Sequence, residues 1–146
     1  MRRTLGALAL LTLTLAGCGD EDSGDGDVQT DPTPVITQVD LLTATAAGGS
    51  VTTTATELPD DQAVREYAAQ FRNDQLGGEI VAAAEKAEVP DGQQLAAAVV
   101  AVGCEVPSDV AGTYVDGEVH VHATVPVTDK KCLAPITSVA LMLAPA

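Results

Sequence analysis

Leu95-Ala96-Ala97-Ala98-Val99-Val100-Ala101-Val102-Gly103 is almost continuously apolar, and its reading decides the fold. Periodicity alone does not separate helix from strand in so short a run. The valines gather towards its end and Gly103 follows, which favours a buried central strand. Immediately downstream, Asp109 to Val115 and Glu118 to Val125 flank Asp116-Gly117. Asp-Gly between two runs rich in β-branched residues is the strongest hairpin signal in the chain. Ile136 to Leu143, ITSVALML, reads as a last strand after the loop Pro126 to Lys131.

Upstream, Val35 to Thr45 and Val51 to Leu58 read as two strands, with a hairpin expected around Gly48-Gly49. Pro59-Asp60-Asp61 opens a helix, since acids in a first turn favour the helix dipole. Ala63, Val64, Tyr67, Ala68 and Phe71 fall on one helical stripe. Gly77-Gly78 is expected to break it, and Glu79 to Glu88 to form a second short helix before Pro90. The order is two strands, two helices, four strands. The expected class is α+β: a small, mainly antiparallel sheet with two short helices. With one Phe, two Tyr and no Trp, its core must be built from Val, Leu, Ala and Ile.

The N-terminus carries a different signal. Met1-Arg2-Arg3 is positive, Leu5 to Leu15 is apolar, and Leu15-Ala16-Gly17-Cys18 closes the segment. This is the layout of a secretory signal, too short to span a bilayer, which needs about 20 apolar residues. Residues 1–18 closely resemble the signal and lipobox of bacterial lipoproteins. The resemblance implies cleavage between Gly17 and Cys18, a diacylglyceryl thioether on Cys18, and palmitate-type acylation of the new amino terminus. Two or more acyl chains hold a protein stably at a membrane where one does not. The implied address is the cell membrane, lipid-anchored, on the extracellular or periplasmic side.

Three segments follow from this: a signal peptide at 1–17, a lipidated acidic disordered tether at 18–34, and one domain at 35–146. The tether, GDEDSGDGDVQTDPTP after Cys18, has no apolar face and concentrates six acids between Asp20 and Asp31. Its aspartates do not make a calcium loop. Counted from Asp20, Gly24 and Asp25 stand where an EF-hand needs an oxygen ligand and a glycine, and Asp31 replaces the bidentate Glu. The chain has a formal net charge of −14, and loss of Arg2 and Arg3 makes the remainder still more negative. That charge argues against nucleic acid, whose phosphates need Lys and Arg.

With Cys18 committed to lipid, Cys104 and Cys132 are left, and export places them in an oxidising compartment. They are expected to form one disulfide. Closing a loop of that length stabilises by about 3–4 kcal/mol in the loop-entropy treatment.

Candidate sites are few. His120 and His122 are two apart on an expected strand and share a face with Glu118, a spacing that offers imidazoles and a carboxylate to a divalent metal. The same alternation equally describes a solvated face, with Val119, Val121, Ala123 and Val125 turned to the core. Lys130-Lys131 is the one basic pair of the domain and a candidate contact for an acidic partner. Ser50, Ser108 and Ser138 lie in no nucleophile-elbow setting, and Asp60-Asp61 reads as a helix cap before it reads as acid–base machinery. No catalytic residue and no cofactor are assigned.

Gly103, Pro107, Ser108, Asp116-Gly117 and Pro126 fall in an order similar to that of the C-terminal β domain of bacterial protease-complex-subunit lipoproteins. The likeness covers about a third of the chain. The Thr-Gly-Gly-Tyr stretch of that family is absent, and Cys104 and Cys132 are additions. It puts protein-partner binding in view and carries over no functional residue. The leading expectation is a non-enzymatic binding or accessory module at the cell envelope with an unknown protein partner. The alternatives are a small-ligand or divalent-metal-binding domain on the histidine strand, and an enzyme of unknown class.

Overall fold

A computed structural model describes residues 34–146. The signal segment, Cys18, the acidic tether up to Thr33 and the aspartates weighed as a calcium loop lie outside the described residues. Eight elements follow in chain order. They are β1 (Thr37–Thr45), β2 (Thr56–Leu58), α1 (Asp61–Ala68), α2 (Asp74–Lys86), β3 (Gln93–Gly103), β4 (Asp109–Val115), β5 (Glu118–Thr124) and β6 (Ile136–Pro145). The class is α+β with antiparallel pairing throughout, as the sequence indicates.

A four-stranded sheet runs β1-β6-β3-β2, and β4-β5 is a separate hairpin. The two helices cover one face of the large sheet and the hairpin covers the other. The two long apolar runs therefore occupy the two central positions. From Leu95 to Ala101 and from Thr137 to Met142 every residue is buried. Strands covered on both faces read as unbroken apolar runs, which is why β3 shows no alternation. Towards the helices β3 and β6 present Leu95, Ala97, Val99, Val139 and Leu141, which meet Val64, Phe71, Leu76 and Ile80. Towards the hairpin they present Ala96, Ala98, Val100, Ala140, Met142 and Ala144, which meet Val119 and Val121.

β1 and β2 are not a hairpin, contrary to expectation. They lie at opposite ends of the sheet order, with β6 and β3 between them. The glycine-rich connection does not close a tight turn. Ala47 is fully buried, Arg72 donates its backbone N–H to the Ala47 carbonyl at 2.8 Å, and Thr137 Oγ1 donates to the Gly48 carbonyl at 2.6 Å. Gly48 (φ 77°) and Gly49 (φ 90°) adopt left-handed backbone that carries the chain across the sheet end.

The expected strand Val51–Leu58 is divided. Only Thr56–Leu58 pairs with β3. Thr53 to Ala55 pairs instead with β5: Thr54 bridges His120, Ala55 N–H donates to the Val119 carbonyl, and Val121 N–H donates to the Thr53 carbonyl. One segment thus stitches the two sheets together.

The helices also depart from expectation at Gly77-Gly78, which lie inside α2. Asn73 caps that helix by accepting from Gln75 N–H at 2.9 Å, and Leu76 and Ile80 bury completely on either side of the glycines. Gly77 has a packing reason. A Cβ there would stand 3.1 Å from the Ala68 carbonyl of α1. The stripe residue Phe71 lies past the end of α1, buried in the turn, with its ring edge-on to Tyr67 at 5.8 Å. Val125, expected in the core, follows the end of β5 and is 40% exposed. The strand stops there because Pro126 brings no N–H to the ladder and Ser108 takes the Thr124 carbonyl.

Two glycines on opposite sides of the molecule make a matched test. A Cβ at Gly112 would overlap the Ile36 side chain, whereas nothing lies within 4 Å of one at Gly78. Gly112→Ala is expected to lower the unfolding free energy by about 1–3 kcal/mol through overpacking. Gly78→Ala in the helix interior should raise it by about 1 kcal/mol. Urea unfolding of both variants checks the pair. Equal shifts, or a tolerated Gly112→Ala, would contradict the close contact of Ile36 with β4.

Candidate binding surface at the disulfide end

β3 ends at Gly103 and β6 begins beside it at Ile136. Cys104 and Cys132 meet there in a disulfide with Cα atoms 5.4 Å apart. The bridge joins the end of a central strand to the loop that leads into the other central strand. A second tie lies next to it. Thr128 Oγ1 donates to Glu105 Oε1, and Lys130 Nζ stands 3.2 Å from the same carboxylate. The Thr128 hydroxyl first, and then the Lys130 ammonium, hold the Glu105 carboxyl below its ordinary value of 4.5. Loop 125–135 is therefore fastened twice, covalently at Cys132 and electrostatically at Thr128 and Lys130.

That pinned loop carries large apolar side chains in water. Val127 and Leu133 are completely exposed. Val51, Val102 and Val125, which share a cleft with Val127, are more than a third exposed. Between the end of β3 and the chain leaving β5 lies a cleft of about 470 Å³, lined by Val51, Val100, Val102, Gly103, Val125 and Pro126 among others. Glu105 and Lys130 are its charged lining residues, and their formal charges cancel. It is a neutral apolar surface on a strongly acidic chain.

The other sequence candidates fall elsewhere. Glu118, His120 and His122 lie together on the exposed outer face of β5, with Val119 and Val121 buried on the inner face, the alternation expected of a half-solvated strand. Glu118 Oε2 is 3.8 Å from His120 Nε2. Among the described residues no group of three or more His, Cys, Asp or Glu side chains is placed to hold a metal ion. Ser138 is wholly buried on β6 with its hydroxyl unpartnered among the described residues, so no substrate reaches it. Asp60 accepts the Ala63 N–H at 2.8 Å as the cap of α1. Lys130 is engaged by Glu105, which leaves Lys131 as the cation of the pair without an ion-pair partner among the described residues. The sequence reading passed over Val127 and Leu133. The signal was available: both stand between Pro126 and Pro135, in a stretch with no strand pattern to bury them.

No family model, no curated protein and no solved structure matches the chain.

The depressed Glu105 carboxyl sets a direction for pH. A group whose folded value lies below its unfolded one stabilises fully above the ordinary carboxylate range, and loses that contribution as pH falls through the lowered value. Acid titration is expected to free loop 125–131, seen as loss of amide protection at Lys130, while β3 and β6 remain protected. Glu105→Gln should abolish the acid step and show the loosened loop at neutral pH. An unchanged loop in that variant would mean that the bridge alone holds it.

Proposed function

We propose that this chain is an exported lipoprotein, held at the cell membrane by lipid on Cys18, whose domain is a non-enzymatic binding module for another envelope protein. The observation that supports binding is the complete exposure of Val127 and Leu133 on a loop fastened by a disulfide and an ion pair. Exposed apolar patches on folded domains mark interaction surfaces. A loop pinned before its partner arrives loses little conformational freedom on binding.

The chain's entry into the large sheet and the apolar loop lie at opposite ends of the domain. Thr37 pairs with Leu143 and Thr45 with Ile136. The polypeptide thus enters the large sheet at the end remote from the bridge, a strand length of about 27 Å away. Its acidity opposes contact with anionic headgroups.

Two measurements test the proposal. Cys18→Ser is expected to release the protein from the membrane fraction and to abolish globomycin-sensitive processing; continued membrane retention would remove the lipoprotein assignment. For binding, in-cell crosslinking and quantitative mass spectrometry of the tagged lipoprotein should enrich an envelope protein that is lost with Val127→Asp/Leu133→Asp. The control is the same signal and acidic segment fused to an inert domain. Equal enrichment by the double variant would refute this surface as the site.

A further inference from the structure

The cleft at the disulfide end has walls of unpaired backbone. On one side of β3, Ala101, Val102 and Gly103 pair with Ser138, Thr137 and Ile136 of β6. On the other side, cover stops early. β2 pairs only as far as Ala97, and the last backbone bond on that edge runs from Thr52 N–H to the Val99 carbonyl at 3.0 Å. Beyond it, residues 101–103 have no backbone partner on that edge among the described residues. The facing wall behaves alike. β5 is paired on both edges near its middle, with β4 and with Thr53 to Ala55, but residues 125–127 have no backbone partner among the described residues.

The segment from Val51 to Ala55 runs between these walls. It bonds to β3 at Thr52 and to β5 at Thr53 and Ala55. The cleft begins where this segment turns off, with Val51 and Val100 at that end. It lies along the line on which the segment would have continued. Val102 and Val125 line its sides and are 38% and 40% exposed.

We infer that the cleft receives an extended segment of a partner protein, which continues the line of residues 51–55 and pairs its backbone with the open edge at Ala101–Gly103. This rests on the binding-module reading above and specifies its mode. Main-chain pairing at a sheet edge supplies affinity, and alternate side chains entering the cleft supply selectivity. The valine lining calls for an apolar, β-branched residue at alternate positions. Pro126 offers only a carbonyl to the opposite wall, so β3 is the main pairing edge. A second copy of this chain is disfavoured as the occupant, since each copy carries a formal charge of −14 and only the cleft lining is neutral. Val127, which lines the cleft, then flanks the seated strand.

The test uses the mature chain with Cys18→Ser and a library of nine-residue peptides, apolar at alternate positions, with aspartates at both ends. Those aspartates keep the probe away from the acidic body of the domain. Binders are expected that shift the amides of 101–103 and 125–127 and weaken at least tenfold with Val102→Asp, an exposed position whose replacement leaves the core intact. Methylation of alternate backbone nitrogens should weaken the best binder by at least tenfold. Equal binding by the methylated peptide would overturn edge pairing and leave side-chain docking. A library with no Val102-dependent binder would also overturn it. Both results are distinct from failure of the binding module itself, which is read by the pull-down. Binding of the unlipidated protein to lipid vesicles through Val127 and Leu133 would replace the peptide with a membrane surface and refute the inference.

Discussion

The molecule depends on the antiparallel pairing of β3 with β6, and on the requirement that this pair be covered on both faces. Two apolar strands of ten and eleven residues cannot present either face to water. The helices answer one face with Leu, Ile, Val and Phe. The hairpin answers the other with Val119 and Val121 set against a floor rich in alanine. A buried methylene stabilises by about 0.8 kcal/mol, so an alanine floor contributes much less than a leucine one. Its compensation is proximity: small side chains and Gly112 bring the hairpin close, as the contact of Gly112 with Ile36 shows. The hairpin layer is therefore the thinner half of the core. The crossing segment Thr53–Ala55 and the disulfide reinforce the molecule on that side.

The same arrangement explains why the apolar cleft stands at the bridge end. β3 outruns β2, since Val100 to Gly103 extend past the last backbone bond to Thr52. At that end the sheet has length without cover. The bridge, with the Glu105–Thr128–Lys130 cluster beside it, holds loop 125–135 next to the uncovered edge. A free loop of this composition would be expected to collapse its valines onto the edge. Fastened as it is, it keeps Val127 and Leu133 outside and the cleft between the walls open. The proposed binding surface and the stability of this end of the domain thus rest on the same few residues, the bridge and the Glu105 cluster.

Much of the fold was legible because its signals are local. The Asp116-Gly117 hairpin, the cap at Asp60, the strand character of residues 95–103 and the order of all eight elements follow from nearest-neighbour chemistry. The bridge was legible from cysteine number together with the expected export. The failures are all failures of locality. Gly77-Gly78 reads as a break, and only the approach of the Ala68 carbonyl from another helix explains a glycine inside α2. Gly48-Gly49 reads as a hairpin turn, yet the strands on either side pair with partners about forty to a hundred residues away. At the candidate surface, Lys130 and Lys131 were visible as a pair. That Glu105 takes up Lys130 and leaves an apolar cleft beside it was not visible.

By itself the sequence determined the segment order, the α+β class, the single possible disulfide in the domain, and a strongly acidic chain with a lipobox-like start. These properties depend on residue type and short-range spacing, which the chain carries wherever it folds. Tertiary structure alone decided which strands are neighbours, which apolar residues stay in water, and where backbone edges are left open. Those properties depend on contacts between distant segments. Val102 and Val127 are ordinary valines in the sequence; they become walls of a cleft only because β2 stops short and the bridge holds the loop beside the open edge.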